Sequence, residues 1–254
     1  PNPQNDYDHS SLSLMSILSL FFAMALGIFG AVIFAPNWIP NFAQTMVGTD
    51  PKAYWYLSRG SAFAALGLLW LSMMLGLLIT NKVSRYWPGA AAAFAIHEYV
   101  SLLGLAFATF HALILMGDHY INYQLAQVLM PFGSVNYHPF WVGVGQIGFY
   151  VWAVVTFTFY IRQMIGPKTW RAIHYLSFLM FLMAILHGVM SGTDASTSWA
   201  QTIYWSLGGS FLFLAMLRMV LHVSAKFAKK PAPRPVPRVQ PAPMKEDSNP
   251  TGNV

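Results

Sequence analysis

The sequence predicts an all-α integral membrane protein, a bundle of six transmembrane helices. Three observations predict it. Of 254 residues, 56% are hydrophobic and 9% charged, with a mean hydropathy of +0.48, which excludes an ordinary soluble globule. The apolar residues gather into six runs, each near the roughly 20 residues that cross a bilayer. The Lys and Arg residues fall unequally between the connecting segments. The net charge of +6 therefore reports topology rather than a nucleic-acid partner, because the excess sits in short connections and in the stretch beyond Arg218. With no cysteine, disulfides, iron–sulfur clusters and thiolate ligation are excluded.

Residues 1–11 are polar, with Asp6, Asp8 and His9 and no Lys or Arg. A cleavable signal peptide has a positive start and a shorter apolar core, so the run that follows reads as a retained helix. The transmembrane domain is expected over residues 12–223. Its first span is 12–35, uncharged throughout. An aromatic, proline-punctuated loop with Trp38 and Trp55 follows, suited to a membrane interface. The second span, 57–80, begins beside Arg59. A connection holding Lys82, Arg85 and a Trp87-Pro88 break leads to the third, 93–117. The loop from Asp118 to Pro139 has room for a short interfacial helix between Tyr120 and Met130. The fourth span is 140–162; Gly166-Pro167-Lys168 turns the chain into the fifth, 170–191; a small polar loop precedes the sixth, 199–222. Residues 224–254 are basic, then Pro-rich (PAPRPVPRVQPAP), then polar. Such a segment cannot bury a core and is expected to be a disordered cytoplasmic tail. Its basic part, Lys226 to Arg238, is a solvated topological flank with the charge to meet anionic lipid.

The connections after spans two, four and six, with the adjoining helix ends, hold Lys82, Arg85, Arg162, Lys168, Arg171, Arg218, Lys226, Lys229, Lys230, Arg234, Arg238 and Lys245. The opposite side holds only Lys52 and Arg59. By the positive-inside rule both termini are cytoplasmic and the protein is a multi-pass component of the cell (inner) membrane.

Four histidines organise the chemistry. His97 and His111 lie 14 residues apart on the third span, and His174 and His187 lie 13 apart on the fifth. An imidazole facing hydrocarbon is costly without a partner, so an intramembrane pair marks function by default. Both spans are odd-numbered and cross in the same direction, which sets His97 level with His174 towards the cytoplasm and His111 level with His187 towards the outside. At 1.5 Å per residue the two levels are about 20 Å apart. This is the donor set for two stacked haems with bis-histidine irons, whose filled axial positions suit electron transfer rather than oxygen binding at the metal. The angles are less simple. At 100° per residue, a 14-residue spacing returns to within roughly 40°, whereas 13 leaves His187 roughly 140° from His174. The fifth helix is therefore expected to be bent, rotated or distorted, or its two haems to be approached from different sides. Gly188, Gly104 and Ala108 would let a flat macrocycle come close to the backbone.

The stretches HEYVSLLGLAFATFH (His97, His111) and HYLSFLMFLMAILH (His174, His187), with YLSRGSAF around Arg59, GPKTWRAIH before span five and LHGVMSGTD after it, resemble the ferric reductase-like transmembrane domain family, the haem-binding core of ferric reductases and NADPH oxidases. The resemblance covers Tyr54 to His222 and is closest to the stand-alone bacterial type. It implies a six-helix bundle with two haem b groups between helices three and five, ligated by His97 and His174 at the inner iron and by His111 and His187 at the outer one. Eukaryotic relatives continue into a flavin and nicotinamide module, and the residues after span six are too few for one, so no flavin or NAD(P) site is expected here. The implied electron donor is a separate reductase or a membrane quinol on the cytoplasmic side, with an acceptor outside whose identity the residues leave open. The expected role is an oxidoreductase component, a di-haem b-type cytochrome moving electrons across the membrane. The alternatives are a haem-bearing or structural subunit of a larger redox complex, and a small-solute transporter, disfavoured because no repeated pair of Gly/Pro-interrupted helices is present.

Other signals are weaker. Gly143-Val-Gly-Gln-Ile-Gly148 has the form of a dinucleotide fingerprint, but it opens an apolar span rather than following a strand, and packing through small residues explains it. Arg59 is expected to meet a propionate of the outer haem. Glu98 and Gln146 read as interhelical polar contacts. Asp118, His119, His138 and Asp194 are metal-capable side chains near the outer pair that read as ordinary loop polarity. Trp70, Trp141, Phe107 and Phe178 read as bilayer or pocket lining.

Overall fold

A computed structural model describes residues 14–38, 53–81, 83, 86, 89–118, 120–135 and 137–227. Among them the chain is all-helical: α1 (Leu14–Trp38), α2 (Ala53–Thr80), α3 (Ala90–Ile114, continued by a 3-10 turn Leu115–Gly117), α4 (Leu125–Leu129), α5 (Pro139–Thr158), α6 (Arg162–Ile165), α7 (Pro167–Ser191) and α8 (Ser198–Phe227). Six of these, α1, α2, α3, α5, α7 and α8, are long and apolar enough to cross a membrane. The N-terminal segment 1–11, Lys52, Lys82, Arg85, the Trp87-Pro88 break, His119 and the tail beyond residue 227 lie outside the described residues.

Several boundaries differ from the expected ones, each for a local reason. The first helix carries on past Pro36 to Trp38; a proline so near a helix end forfeits one hydrogen bond without breaking a ladder. The fourth span stops at Thr158, not at 162. There the Thr158 hydroxyl donates back to the Val154 carbonyl (2.7 Å), and the tighter bonds Phe159 N–H to Thr156 O and Tyr160 N–H to Phe157 O close the turn. The Arg162 guanidinium then donates to Phe159 O (2.8 Å) and lies 4.0 Å over the Phe159 ring. Gly166 at φ 82° takes a backbone conformation that L side chains rarely adopt. Pro167 then begins α7, where its missing N–H would have had no helical partner anyway.

The closest packing is within two pairs, α2 with α3 and α5 with α7, whereas α3 and α7 make little direct backbone contact. The bundle is thus two tight helix pairs facing one another across open space. The core that joins them includes Leu69, Leu105, Trp152, Met180, Phe181 and Phe211. α2 is the central helix, with 44% of its span buried, and α1 and α8 are peripheral at 6% each. Large apolar side chains such as Leu20, Phe22, Phe213 and Met219 point outward. In water they would be an aggregation surface; against lipid they are the ordinary exterior of a bundle whose backbone polar groups are satisfied internally.

Candidate functional site

α3 and α7 bring the four histidines together in two pairs. The ring centroids of His97 and His174 are 6.2 Å apart, and those of His111 and His187 are 6.3 Å apart. The levels therefore match as the co-directional spans require. A metal bonded to two imidazole nitrogens at about 2.0 Å, each ring centre lying about 1.1 Å behind its nitrogen, separates opposed ring centres by about 6.2 Å. Direct imidazole packing would bring them closer. Among the described residues no group of three or more His, Cys, Asp or Glu side chains gathers around one point, so the donor set is two opposed pairs and not a cluster.

Three of the four rings are oriented by the main chain. His97 Nδ1 lies 2.9 Å from Ser72 O, His111 Nδ1 lies 2.9 Å from Ser58 O, and His187 Nδ1 lies 2.9 Å from Trp141 O. A carbonyl only accepts, so each Nδ1 carries the proton and each Nε2 keeps its lone pair free, the way a ligating histidine is usually held. The hydroxyls of Ser58 and Ser72 also reach Nδ1, at 2.9 and 3.2 Å. Ser58 and Ser72 stand 14 positions apart on α2, the same step that separates His97 from His111 on the antiparallel α3. That matching spacing is a signal in the sequence that the reading from histidines alone misses. The carbonyl of Trp141 gives no such signal, because any residue has one.

His174 is held differently. Among the described residues it has no hydrogen-bond partner and instead stacks on Trp170, one helical turn earlier, at 5.2 Å and 30°.

The awkward 13-residue spacing is resolved without a break, since α7 is continuous from Pro167 to Ser191. The His187 ring lies across Gly145 of α5, on the flank of α7 turned to that helix. A Cβ at Gly145 would sit 2.5 Å from His187 Nδ1. α5 packs against the Nδ1 side of the His187 ring, the side that the Trp141 carbonyl holds. The glycines of the fingerprint-like run are thus packing devices: Gly143 clears Phe132, Gly145 clears His187, and Gly148 meets Met183 at 3.3 Å. Gly104 departs from expectation. Its open face is filled by the Trp152 indole, whose ring would lie 2.8 Å from an added Cβ, so no macrocycle approaches there.

Each histidine pair opens into its own cavity. Towards Asp194 a cavity of about 400 Å³ is walled by His111, His187, Ala108, Gly188, Arg59 and Asp194, among others. Towards Arg218 a cavity of about 300 Å³ is walled by His97, His174, Gly76, Glu98, Arg171 and Arg218, among others. Both volumes lie in the range of cofactor pockets. Only Leu69, Trp152 and Met180 line both, and all three are buried; they form the floor between two chambers stacked along the bundle.

Polar groups concentrate at the chamber mouths. Arg59 forms an ion pair with Asp194, and its guanidinium lies 4.0 Å over Trp55. Its Nε is buried without a partner. At the other mouth Arg218 donates to Asn81 Oδ1 (2.8 Å) and Arg171 to Pro167 O (3.1 Å). There the Trp170 Nε1 is buried without a partner. Among the described residues the Asp194-end chamber thus holds two orphaned groups, Arg59 Nε and the Ser191 hydroxyl, and the Arg218-end chamber one, Trp170 Nε1; donors of this kind are what a bound carboxylate would satisfy. Glu98 accepts from Tyr160 OH at 2.8 Å, an interhelical tie as expected.

Gln146 does more than expected. Its Oε1 accepts from Phe132 N–H (3.1 Å), and its Nε2 donates to the carbonyls of Gln127 (2.7 Å) and Val128 (2.9 Å). It clasps the loop between α3 and α5, including α4, over the Asp194-end chamber, whose wall includes Tyr120, Tyr123, Val128 and Leu129. Further ties are Tyr150 OH to Leu129 O, the Tyr123 and Ser134 hydroxyls at 2.7 Å and Tyr137 OH to Ser191 O at 2.7 Å. Burial pushes the Tyr123 phenol above its ordinary range, against the pull of the Ser134 bond. Burial does the same to Tyr137, with Tyr123 and Tyr120 adding to it. Asp118 closes this loop locally by accepting the N–H groups of Tyr120 and Ile121. His138 caps α5 at φ 38° and packs edge-on to Tyr137. Asp118, His138 and Asp194 are thus occupied separately and converge on no common point; His119 lies outside the described residues.

Trp70 donates Nε1 to Ser210 (2.9 Å) and ties α2 to α8, while Phe178 packs on Phe211 and lines the Arg218-end chamber. No family model, curated protein or solved structure matches this chain.

Proposed function

We propose that this protein is a di-haem b-type cytochrome of the ferric reductase-like kind, passing electrons across the cell membrane from a donor on the cytoplasmic side to an acceptor outside. One observation carries the reading: two opposed histidine pairs, at 6.2 and 6.3 Å between ring centres, one above the other in separate chambers. The haems, when bound, supply one-electron chemistry at iron. Everything else is the work of the chain. His97 and His174 hold one iron, His111 and His187 the other. Ser72, Ser58 and Trp141 fix three of the rings through their carbonyls. Arg59 with its orphaned Nε in one chamber, and Trp170 Nε1 with Arg171 and Arg218 in the other, face the propionates. The floor of Leu69, Trp152 and Met180 keeps water out of the path between levels about 20 Å apart along the helix axis.

The excess of Lys and Arg assigns the Arg218 end to the cytoplasm. The outer chamber, at the Asp194 end, is then the one roofed by the clasped loop, where the acceptor approaches.

The test is the dithionite-reduced minus oxidised spectrum of detergent-purified protein, with haem extracted and counted per chain. About two b-type haems per chain are expected. A folded bundle that binds none rules out electron transfer and leaves a structural subunit of a larger assembly.

A further inference from the structure

The two chambers differ in how they set the energy of an electron. At the Asp194 end both imidazoles point Nδ1 at main-chain carbonyls, His111 at Ser58 O and His187 at Trp141 O, each at 2.9 Å. A donated N–H gives a ligand imidazolate character, which favours the more highly charged ferric iron and lowers its potential. At the Arg218 end only His97 is held this way. His174 stacks on Trp170, and among the described residues nothing accepts its Nδ1–H.

Charge acts in the same direction. The groups facing the Asp194-end chamber are Arg59 and Asp194, paired with each other and cancelling. Those facing the Arg218-end chamber are Arg171, Arg218 and Glu98, an excess of one positive charge. The partners of the two guanidiniums are a neutral amide and a carbonyl, so among the described residues neither has a carboxylate partner from the protein. A nearby cation stabilises the added electron, and Arg218, half-buried in the chamber wall, does so more strongly than the solvent-exposed Arg171.

We infer that the Arg218-end haem is the electron-holding site of the pair and that His174, Arg171 and Arg218 set its potential above that of the haem at the Asp194 end. The inference rests on the di-haem reading. Transfer towards the outer chamber is then uphill. The inner site fills first and waits, and net flow outward depends on the acceptor removing the electron rather than on a built-in slope.

The experiment is an equilibrium spectroelectrochemical titration of the full chain, with His187→Ala and His174→Ala used to assign the two waves. Among molecules holding one electron, the Arg218-end haem should carry it at least about tenfold more often than the other, which is about 59 mV for a one-electron couple. Two variants that spare all four ligands give a second reading. Arg218→Gln should lower the upper wave and leave the lower one in place. Asp194→Asn, by releasing the charge of Arg59, should raise the lower wave alone. Equal potentials, prior reduction of the Asp194-end haem, or both waves moving together in each variant overturns the inference while leaving the di-haem reading intact. A folded protein without haem removes that reading and the inference with it.

Discussion

At the Asp194 end of the bundle both imidazoles hang from main-chain carbonyls, the Arg59 guanidinium is paired with Asp194, and a long loop is clasped across the opening. At the Arg218 end one imidazole leans on an indole, two guanidiniums outnumber the one carboxylate, Glu98, and the connection between α5 and α7 is a single short helix. Matched spacing on two helices makes two stations alike in the geometry of their histidine pairs. What surrounds them makes the stations unlike, and it comes from different parts of the chain: α2 backs both histidines of α3, α5 backs only His187, and α7 supports His174 from within itself.

The largest expected effect breaks the pairing itself. His97→Ala should remove the Arg218-end haem and His187→Ala the Asp194-end haem, each taking about half of the reduced-minus-oxidised absorbance, since neither partner can hold a bis-histidine iron alone. Haem counts on the two purified variants check this. Loss of the same haem in both would break the assignment of levels.

How much of this was legible beforehand depends on what kind of atom does the work. The six spans and the four histidines could be read directly, because hydropathy and a 14- or 13-residue step are properties of side chains in order. Ser58 and Ser72 were legible in principle through the same step of 14. The carbonyl of Trp141 was not, since main-chain acceptors carry no residue identity. The ends of spans one and four shifted because Pro36 costs its helix only one hydrogen bond and Thr158 adds one to the Val154 carbonyl, effects that hydropathy does not weigh. Arg171 and Arg218 were counted for topology and not seen as chamber groups, because only the fold turns them towards His97 and His174.

A smaller effect sharpens the contrast between supports. Gly145→Ala places a Cβ 2.5 Å from the His187 ring, whereas Gly76→Ala places one 3.4 Å from His97 Cε1. The first collision is with a ring already fixed by the Trp141 carbonyl, and overpacking of that kind costs about 1–3 kcal/mol. The second needs a shift of only a few tenths of an ångström. Gly145→Ala should therefore weaken or lose the Asp194-end haem while Gly76→Ala retains both, read from haem affinity in a titration of apoprotein.

The clasped loop gives the next contrast. Gln146→Ala removes three hydrogen bonds to Phe132 N–H, Gln127 O and Val128 O and leaves those main-chain groups to water, at about 0.5–1.5 kcal/mol per bond. Phe132 adds to the instability, since it sits at φ 63°, a region that bulky side chains rarely occupy. Hydrogen exchange should quicken across residues 125–135 and stay unchanged along α7. Equal quickening at both ends of the bundle would show that Gln146 supports the whole fold and not the roof of one chamber.

The smallest effect concerns pH at that same roof. Tyr123 and Tyr137 have phenols raised above the ordinary range by burial, so their neutral, hydrogen-bonding forms are favoured when the loop is closed. A group whose folded value is raised contributes stability that is complete below its unfolded value, about 10 for tyrosine, and loses it only as pH climbs through the higher folded value. The bonds from Tyr123 to Ser134 and from Tyr137 to Ser191 should thus hold across the neutral range and loosen only in strong alkali. Exchange rates across 125–135 should follow the intrinsic chemical rate until about pH 10 and rise faster beyond it. A break in that trend near neutrality would place a different titrating group in the roof and remove the two tyrosines as its fasteners.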